Sequence, residues 1–262
     1  VVILGGGIDI SVGGIVSIVN TILATRVGLE GSPEAMWQYA ALSLLVGILA
    51  GAINGFFVAY LRLQPIITTY ATSFLFAGIA LFILPNPGGG IPAGIAELYR
   101  SSIPLGLPLA FYVIAILLLA WGFLRSTRYG NFLFAVGGKA QAAYETAVPV
   151  TATQFSTYVI SGLMSAVAGI AITMLSGSGN AEIGSAMTLN SITAVVIGGT
   201  ALSGGVGGVA GPMLGAITLG FIQNIISFAD IDTWWETFAK ASIIVLALAT
   251  PGVINLFRRR RP

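Results

Sequence analysis

Apolar residues run along this chain in long stretches, and the short loops between them hold almost all of the charge. Eight stretches can be traced, at about 1–25, 39–61, 66–84, 107–124, 152–176, 188–203, 211–229 and 236–257. A helix needs about 20 apolar residues to cross the hydrocarbon core of a bilayer. Seven of the stretches approach that length. The stretch 188–203 is short, which predicts a half-helix or a broken one. The predicted fold is therefore all-α, a polytopic transmembrane bundle of about eight spans forming one domain over 1–262. Val1-Val2-Ile3-Leu4 already lies inside an apolar run, with no initiator Met. The natural chain is expected to extend upstream by one or two helices.

Composition strengthens this picture. Of 262 residues, 56% are hydrophobic and 8% charged. Soluble domains carry about 25% charged residues, so a soluble fold with this composition could not cover its surface. Net charge is only +2, and no nucleic-acid footprint is present. Arg258 to Arg261 read as an anchor at the membrane surface.

The loop charges give an orientation, because cytoplasmic loops collect Lys and Arg. With the start of the first stretch inside, the inner loops hold Arg62, Arg125, Arg128, Lys139 and Arg258 to Arg261. Glu30, Glu34, Glu97, Glu182, Asp230, Asp232 and Glu236 fall outside, and Glu145 inside. Eight crossings return the C-terminus to the cytoplasm. Trp37, Tyr39, Trp234 and Trp235 flank the outer ends of two spans, the depth that amphipathic rings prefer. Lys240 follows Glu236 by four residues and can pair with it on one helix face.

Glycine then divides into two uses. Gly47, Gly51 and Gly55, Gly211 and Gly215, and Ser161, Ser165 and Gly169 form small-residue stripes, which bring helices close in lipid. Two denser clusters, Gly5 to Gly14 and Gly198 to Gly208, predict broken or half helices. Aligning Gly6-Gly7 with Gly198-Gly199 also matches Ser11 with Ser203 and Gly13 with Gly205, and Gly51 to Phe56 resembles Gly215 to Phe221. Weak internal repetition of this kind marks transporters built from repeated halves, and chance among glycine-rich spans explains it equally simply. Backbone freed by a break in the membrane must be buried in protein or line a water-filled path.

Asp9 lies in the first cluster. A carboxylate at membrane depth is a functional candidate; the simpler reading makes it the cap of a half-helix, accepting from the amide of Ser11 or Val12. The remaining candidates for a path or solute site are uncharged: Ser11, Asn20, Asn54, Thr69, Tyr70, Asn190, Ser203 and Asn224. Amides and hydroxyls suit a hydroxyl-rich neutral solute, and they suit interhelical hydrogen bonds as well.

The chain has no His and no Cys. That excludes disulfides, thiolate nucleophiles, a Ser-His-Asp set and zinc sites of the usual kind. No phosphate-binding GxxxxGK[ST] loop is present. No catalytic residue, metal site or cofactor is expected in this chain, so any energy for transport must come from outside it, or transport must be passive.

The longest inner loop, 125–151, holds Arg125, Arg128-Tyr129-Gly130, Phe134 to Lys139 and Ala142-Ala143-Tyr144-Glu145, with 139–147 reading as a short helix. These blocks, with Gly6 to Gly13, Thr68 to Gly78 and Gly198-Gly199-Thr200-Ala201-Leu202-Ser203-Gly204-Gly205, resemble the permease subunits of bacterial ribose-type ABC importers, and in the right order over most of the chain. Two departures stand out. Lys139 follows the paired glycines where that family tends to have Asn, and Ala147-Val148-Pro149 occupies a place where it tends to have Gly.

The resemblance implies a non-catalytic inner-membrane subunit for import of a monosaccharide, either a pentose, a hexose or a related polyol. It implies a second permease chain, the same or different, and two cytoplasmic ATP-binding subunits that carry ATP and Mg. It implies a periplasmic or extracellular solute-binding protein, with membrane lipid around the whole. Docking of the ATPase is then expected on 125–151, through Arg125, Arg128, Gly130, Gly137, Gly138, Lys139, Ala142 and Glu145. Permeases of the same architecture for nucleosides or branched-chain amino acids, and a secondary carrier or channel, are the alternatives.

Overall fold

The structure, a computed structural model, describes residues 1–103 and 106–229, with isolated positions between 232 and 249. Helices dominate: α1 (Val12–Arg26), α2 (Pro33–Gly55), α3 (Pro65–Ile83), α4 (Ala93–Arg100), α5 (Leu109–Ser126), α6 (Arg128–Glu145), α7 (Val150–Ser176), α8 (Ser185–Ile197) and α9 (Ala210–Phe228). A 3-10 turn, Ile3–Gly5, precedes α1, and a π turn, Phe56–Tyr60, extends α2. Among the described residues, five helices are long and apolar enough to cross a membrane: α2 with its extension, α3, α5, α7 and α9. Helices α1 and α8 are apolar but shorter. Seven of the eight predicted stretches thus contain a helix. The eighth, 236–257, lies mostly outside the described residues, as do Asp230, Glu236, Lys240 and Arg258 to Arg261.

Local chemistry explains the helix starts. Proline stands at the first turn of α2 and α3, where its missing N–H costs nothing. The Ser32 hydroxyl caps α2 by accepting from the Ala35 amide at 3.2 Å. Gly177, in the left-handed region at φ 70°, ends α7.

At the centre stands α1, packed against α2, α3, α7 and α8. It is buried on most sides, with Ser17, Asn20 and Thr21 buried among its apolar residues. Val19 and Leu23 meet Met36, Ala166 and Met174 on one side. Ile15 and Ile18 meet Ala50, Phe76 and Ala80 on another. The most extensive helix pair is α2 with α7. Gly47 and Gly51 lie against the backbone of Gly162 and Tyr158, so the predicted small-residue stripe does bring two long helices into contact. By contrast, among the described residues, α5 buries none of its own and α9 packs almost entirely on α8.

Two sequence expectations change. The loop 125–151 is mostly helix: α6 starts at Arg128, well before the expected short helix at 139–147, and has a non-helical residue at Lys139 (φ −159°, ψ 95°). The reason is a buried face formed by Gly130, Leu133, Val136 and Gly137, at the three- and four-residue spacing of a helix. The first stretch, 1–25, holds a helix only from Val12, with the break ahead of it where the glycine cluster put it.

Candidate functional site

The break before α1 leaves backbone groups of residues 6–11 outside any helix, and the first amides of α1 without helical partners. Side chains from distant helices take them up. The Ile10 amide donates to Thr69 Oγ1 of α3 at 3.1 Å, and that hydroxyl reaches the Ile8 carbonyl at 3.3 Å. The Gly13 amide donates to Thr188 Oγ1 of α8 at 3.1 Å, and the Thr188 hydroxyl donates to the Ile10 carbonyl at 3.2 Å. Gly6 and Gly7 donate to the carbonyls of Ile3 and Val2 at 3.0 Å each. Irregular backbone at membrane depth is stable only when paired in this way.

Asp9 is the hub of the break. Its Oδ1 accepts from the Ser11 amide at 3.0 Å and the Ser11 hydroxyl at 2.7 Å. Its Oδ2 accepts from the Ser161 hydroxyl of α7 at 2.7 Å. Ser11 Oγ in turn accepts from Asn54 Nδ2 of α2 at 2.7 Å, and Asn54 Oδ1 accepts from the Thr72 hydroxyl of α3 at 2.7 Å. Asp9, Ser11, Asn54, Thr69 and Thr72 are all buried. One connected polar seam therefore joins the break to α2, α3 and α7 inside an apolar bundle.

A cavity of about 320 Å³ opens beside this seam, lined by Asp9, Ser161, Ser165 and Ser191 among apolar residues that include Ile8, Val12, Val16 and Met164. That size lies at the lower end of the ~300–1,000 Å³ usual for small-molecule sites. Its lining is mainly apolar with a few convergent hydroxyls. Among the described residues, Asp9 is the only charged side chain on it.

The other sequence candidates go elsewhere. Asn20 is buried, but it holds the turn after α7: Nδ2 donates to Thr173 Oγ1 and the Ser178 carbonyl at 2.9 and 3.1 Å, and Oδ1 accepts from the Asn180 amide at 2.7 Å. Tyr70, Ser203 and Asn224 face outward, and Asn190 is half-buried. Among the described residues no group of three or more carboxylates gathers to hold a metal. Sequence reasoning assigned Ser161 and Ser165 to packing stripes and passed over Thr188 and Ser191. No local signal marked them, because Ser161 meets Asp9 across 152 residues of chain and Thr188 meets Gly13 across 175.

Helix α6 divides at Lys139. Upstream, Leu133 and Gly137 lie against the Leu4–Gly6 segment, and Tyr129 shares a 2.9 Å hydrogen bond with Ser156 of α7. Burial pushes the Tyr129 phenol above its ordinary value, against the opposing pull of that hydrogen bond. Arg125 lies 5.9 Å from the Phe134 ring centre. Gly130 lies against the Arg125 carbonyl. Lys139, Ala142, Tyr144 and Glu145 are exposed, as are Arg128 and Gly138. Ala147 takes the left-handed φ of 58°.

Comparisons with known proteins agree with this architecture. A family model described as branched-chain amino acid transport system / permease component matches residues 1–248. The ribose import permease protein of Haemophilus influenzae is 33% identical over 97% of this chain and 79% of its own length. The ribose import permease protein of Escherichia coli K12 is 32% identical over 94% of this chain and 78% of its own. The autoinducer 2 import system permease protein of Photorhabdus temperata is 31% identical over 94% of this chain and 75% of its own. No solved structure matches. The chain is a polytopic helical membrane protein and belongs to the branched-chain amino acid transport system permease family.

Proposed function

We propose that this chain is the permease subunit of an ATP-driven importer that carries a monosaccharide across the bacterial inner membrane. The observation that carries this reading is the buried seam of Asp9, Ser11, Asn54, Thr72 and Ser161 beside a cavity whose mainly apolar lining carries a few hydroxyls. A neutral, hydroxyl-rich solute needs donors and acceptors at that depth and needs no fixed counter-charge. An amino acid would bring a carboxylate and an ammonium group. The cavity offers no Lys or Arg to the first, and both oxygens of Asp9 already accept hydrogen bonds. The relatives named for ribose support the same solute class.

ATP and Mg belong, in this reading, to two partner ATPase subunits on the cytoplasmic side. A solute-binding protein delivers from outside, and a second permease chain completes the pore. The exposed second half of α6, with Lys139, Ala142, Tyr144 and Glu145, is the docking element. The Lys and Arg of the chain's inner loops support a cytoplasmic α6 and C-terminus, because cytoplasmic loops collect such residues. The chain contains no native Cys, so single cysteines report topology cleanly. A cysteine at Tyr144 should label only from inside, and one at Trp37 only from outside; the reverse would overturn the orientation.

The decisive experiment is reconstitution of the importer in vesicles with labelled ribose. Uptake should require ATP, the ATPase and the binding protein. Uptake that persists without those partners would sink the ATP-driven reading. ATP-dependent accumulation of leucine in place of ribose would sink the sugar assignment.

A further inference from the structure

Three glycine segments far apart in the sequence meet at one point, backbone against backbone. Gly137 of α6 touches the Leu4 carbonyl so closely that any Cβ there would fall on it, and the same Cβ would lie 2.7 Å from the Gly205 nitrogen. A Cβ on Gly204 would lie 2.8 Å from Gly6 Cα and 2.7 Å from the Gly137 carbonyl. A Cβ on Gly205 would lie 2.6 Å from the Gly138 nitrogen. The Gly205 amide donates to the Leu4 carbonyl at 3.0 Å. Leu4, Gly6-to-Gly7 and Asp9 belong to the first break; Gly204 and Gly205 belong to the second.

We infer that Gly137 is a positioning residue through which α6 moves both breaks as one unit. The inference rests on the proposal that α6 carries the ATPase. Helix α6 turns from a buried face to an exposed one at Lys139, two residues beyond the contact. Force applied to the exposed half therefore meets Gly137 first, ahead of the contact of Leu133 with Gly5. From Leu4 the chain reaches Asp9 and its seam within five residues; from Gly205 it reaches the start of α9 at Ala210 within the same distance. Packed backbone has no rotamers to absorb a displacement, so a shift of α6 is transmitted rather than lost. Segments that touched through long side chains would not share this property.

The test compares Gly137→Ala with Gly208→Ala, whose added Cβ meets nothing within 4 Å, both in the complete importer. Gly137→Ala should keep the ATPase bound while lowering solute imported per ATP by about 2- to 30-fold, the range of coupling changes from single substitutions. Gly208→Ala should change neither. Equal coupling in both variants would overturn the inference. Loss of ATPase binding in Gly137→Ala would put that glycine in the docking surface and overturn it too.

Hydrogen exchange on the wild-type importer needs no variant. The Gly205 amide should stay equally protected with and without trapped ATP, because its acceptor travels with it. Deprotection of at least ~10-fold in one state would show that the breaks separate, and the unit would not exist. The docking reading fails separately, if a single cysteine at Ala142 forms no cross-link to the ATPase.

Discussion

The two glycine breaks look alike in sequence and are built differently. In the first, the backbone of residues 6–13 is held by side chains of three other helices: Thr69 of α3, Thr188 of α8 and, through Asp9, Ser161 of α7. In the second, the backbone satisfies itself. Ala201 donates to the Val206 carbonyl at 3.1 Å, Gly204 to Ala201 at 3.1 Å, and Gly199 and Thr200 donate back to the end of α8. Its one backbone bond to another segment, among the described residues, runs from Gly205 to Leu4. The first break is thus part of the rigid core around α1. The second is a compact turn between α8 and the peripheral α9, tethered at a single point. Glycine spacing allows a break to form; the polar side chains of the neighbours decide how firmly it is held.

The largest expected difference comes from removing the hub. Asp9→Ala leaves the Ser11 amide and the hydroxyls of Ser11 and Ser161 without their buried acceptor. At about 1–3 kcal/mol per unsatisfied donor, the loss should be at least about 3 kcal/mol. Ser203→Ala, at the matching place in the second break, removes an exposed hydroxyl and should change stability by less than about 0.5 kcal/mol. Thermal unfolding of the purified chain in detergent measures both. Similar losses would mean that the two breaks are held alike.

Threonine substitutions probe the same contrast more gently. Thr188→Val removes the acceptor of the Gly13 amide and the donor to Ile10, and should cost about 1–3 kcal/mol. Thr200→Val removes only a 3.5 Å contact to the Gly208 carbonyl and should cost less than about 0.5 kcal/mol. A glycine pair sharpens it again. Gly13→Ala would drive its Cβ into the Gly184 carbonyl and to 2.6 Å from Thr188 Oγ1, an overpacking cost of about 1–3 kcal/mol. Gly208→Ala should stay within about 0.5 kcal/mol of the parent chain. A cost at Gly208 equal to that at Gly13 would remove the distinction.

Much of the architecture was legible because span length and apolar runs are direct consequences of bilayer thickness. The breaks were legible because clustered glycine weakens a helix. Asp9, Ser11, Asn54 and Thr69 could be singled out as polar residues inside spans, and the structure brings these four together. Their partners could not be, since Ser161 and Thr188 become neighbours only through tertiary packing. Ser203 shows the limit of the repeat. It aligns with Ser11, yet Ser11 is buried between Asp9 and Asn54 while Ser203 faces outward. The first half of α6 was hidden because Gly130, Gly137 and Gly138 read as loop residues. Two of those glycines are there for close packing, and the spacing of Gly130, Leu133, Val136 and Gly137 was the available sign of a helix.

The smallest expected effect lies where α6, which touches both breaks, joins α7. Ala147 holds a left-handed backbone at φ 58°, a conformation that costs a residue with a Cβ about 1–2 kcal/mol. Glycine there relieves that strain but also frees the unfolded chain, which returns about 0.4–1 kcal/mol. The net gain for Ala147→Gly is about 0–1.6 kcal/mol, or roughly 0–6 °C in Tm for a chain of this size. Ala147→Val should move Tm the other way, because a β-branched side chain fits that region worse than alanine. If the joint only supports α6, the Gly variant gains stability and keeps its coupling of ATP hydrolysis to uptake. A Gly variant with lower Tm would show that the left-handed turn is not the source of strain. A stabilised variant that loses coupling would show that stiffness at this joint, as well as contact at Gly137, carries motion from α6 into the rigid break and the tethered one.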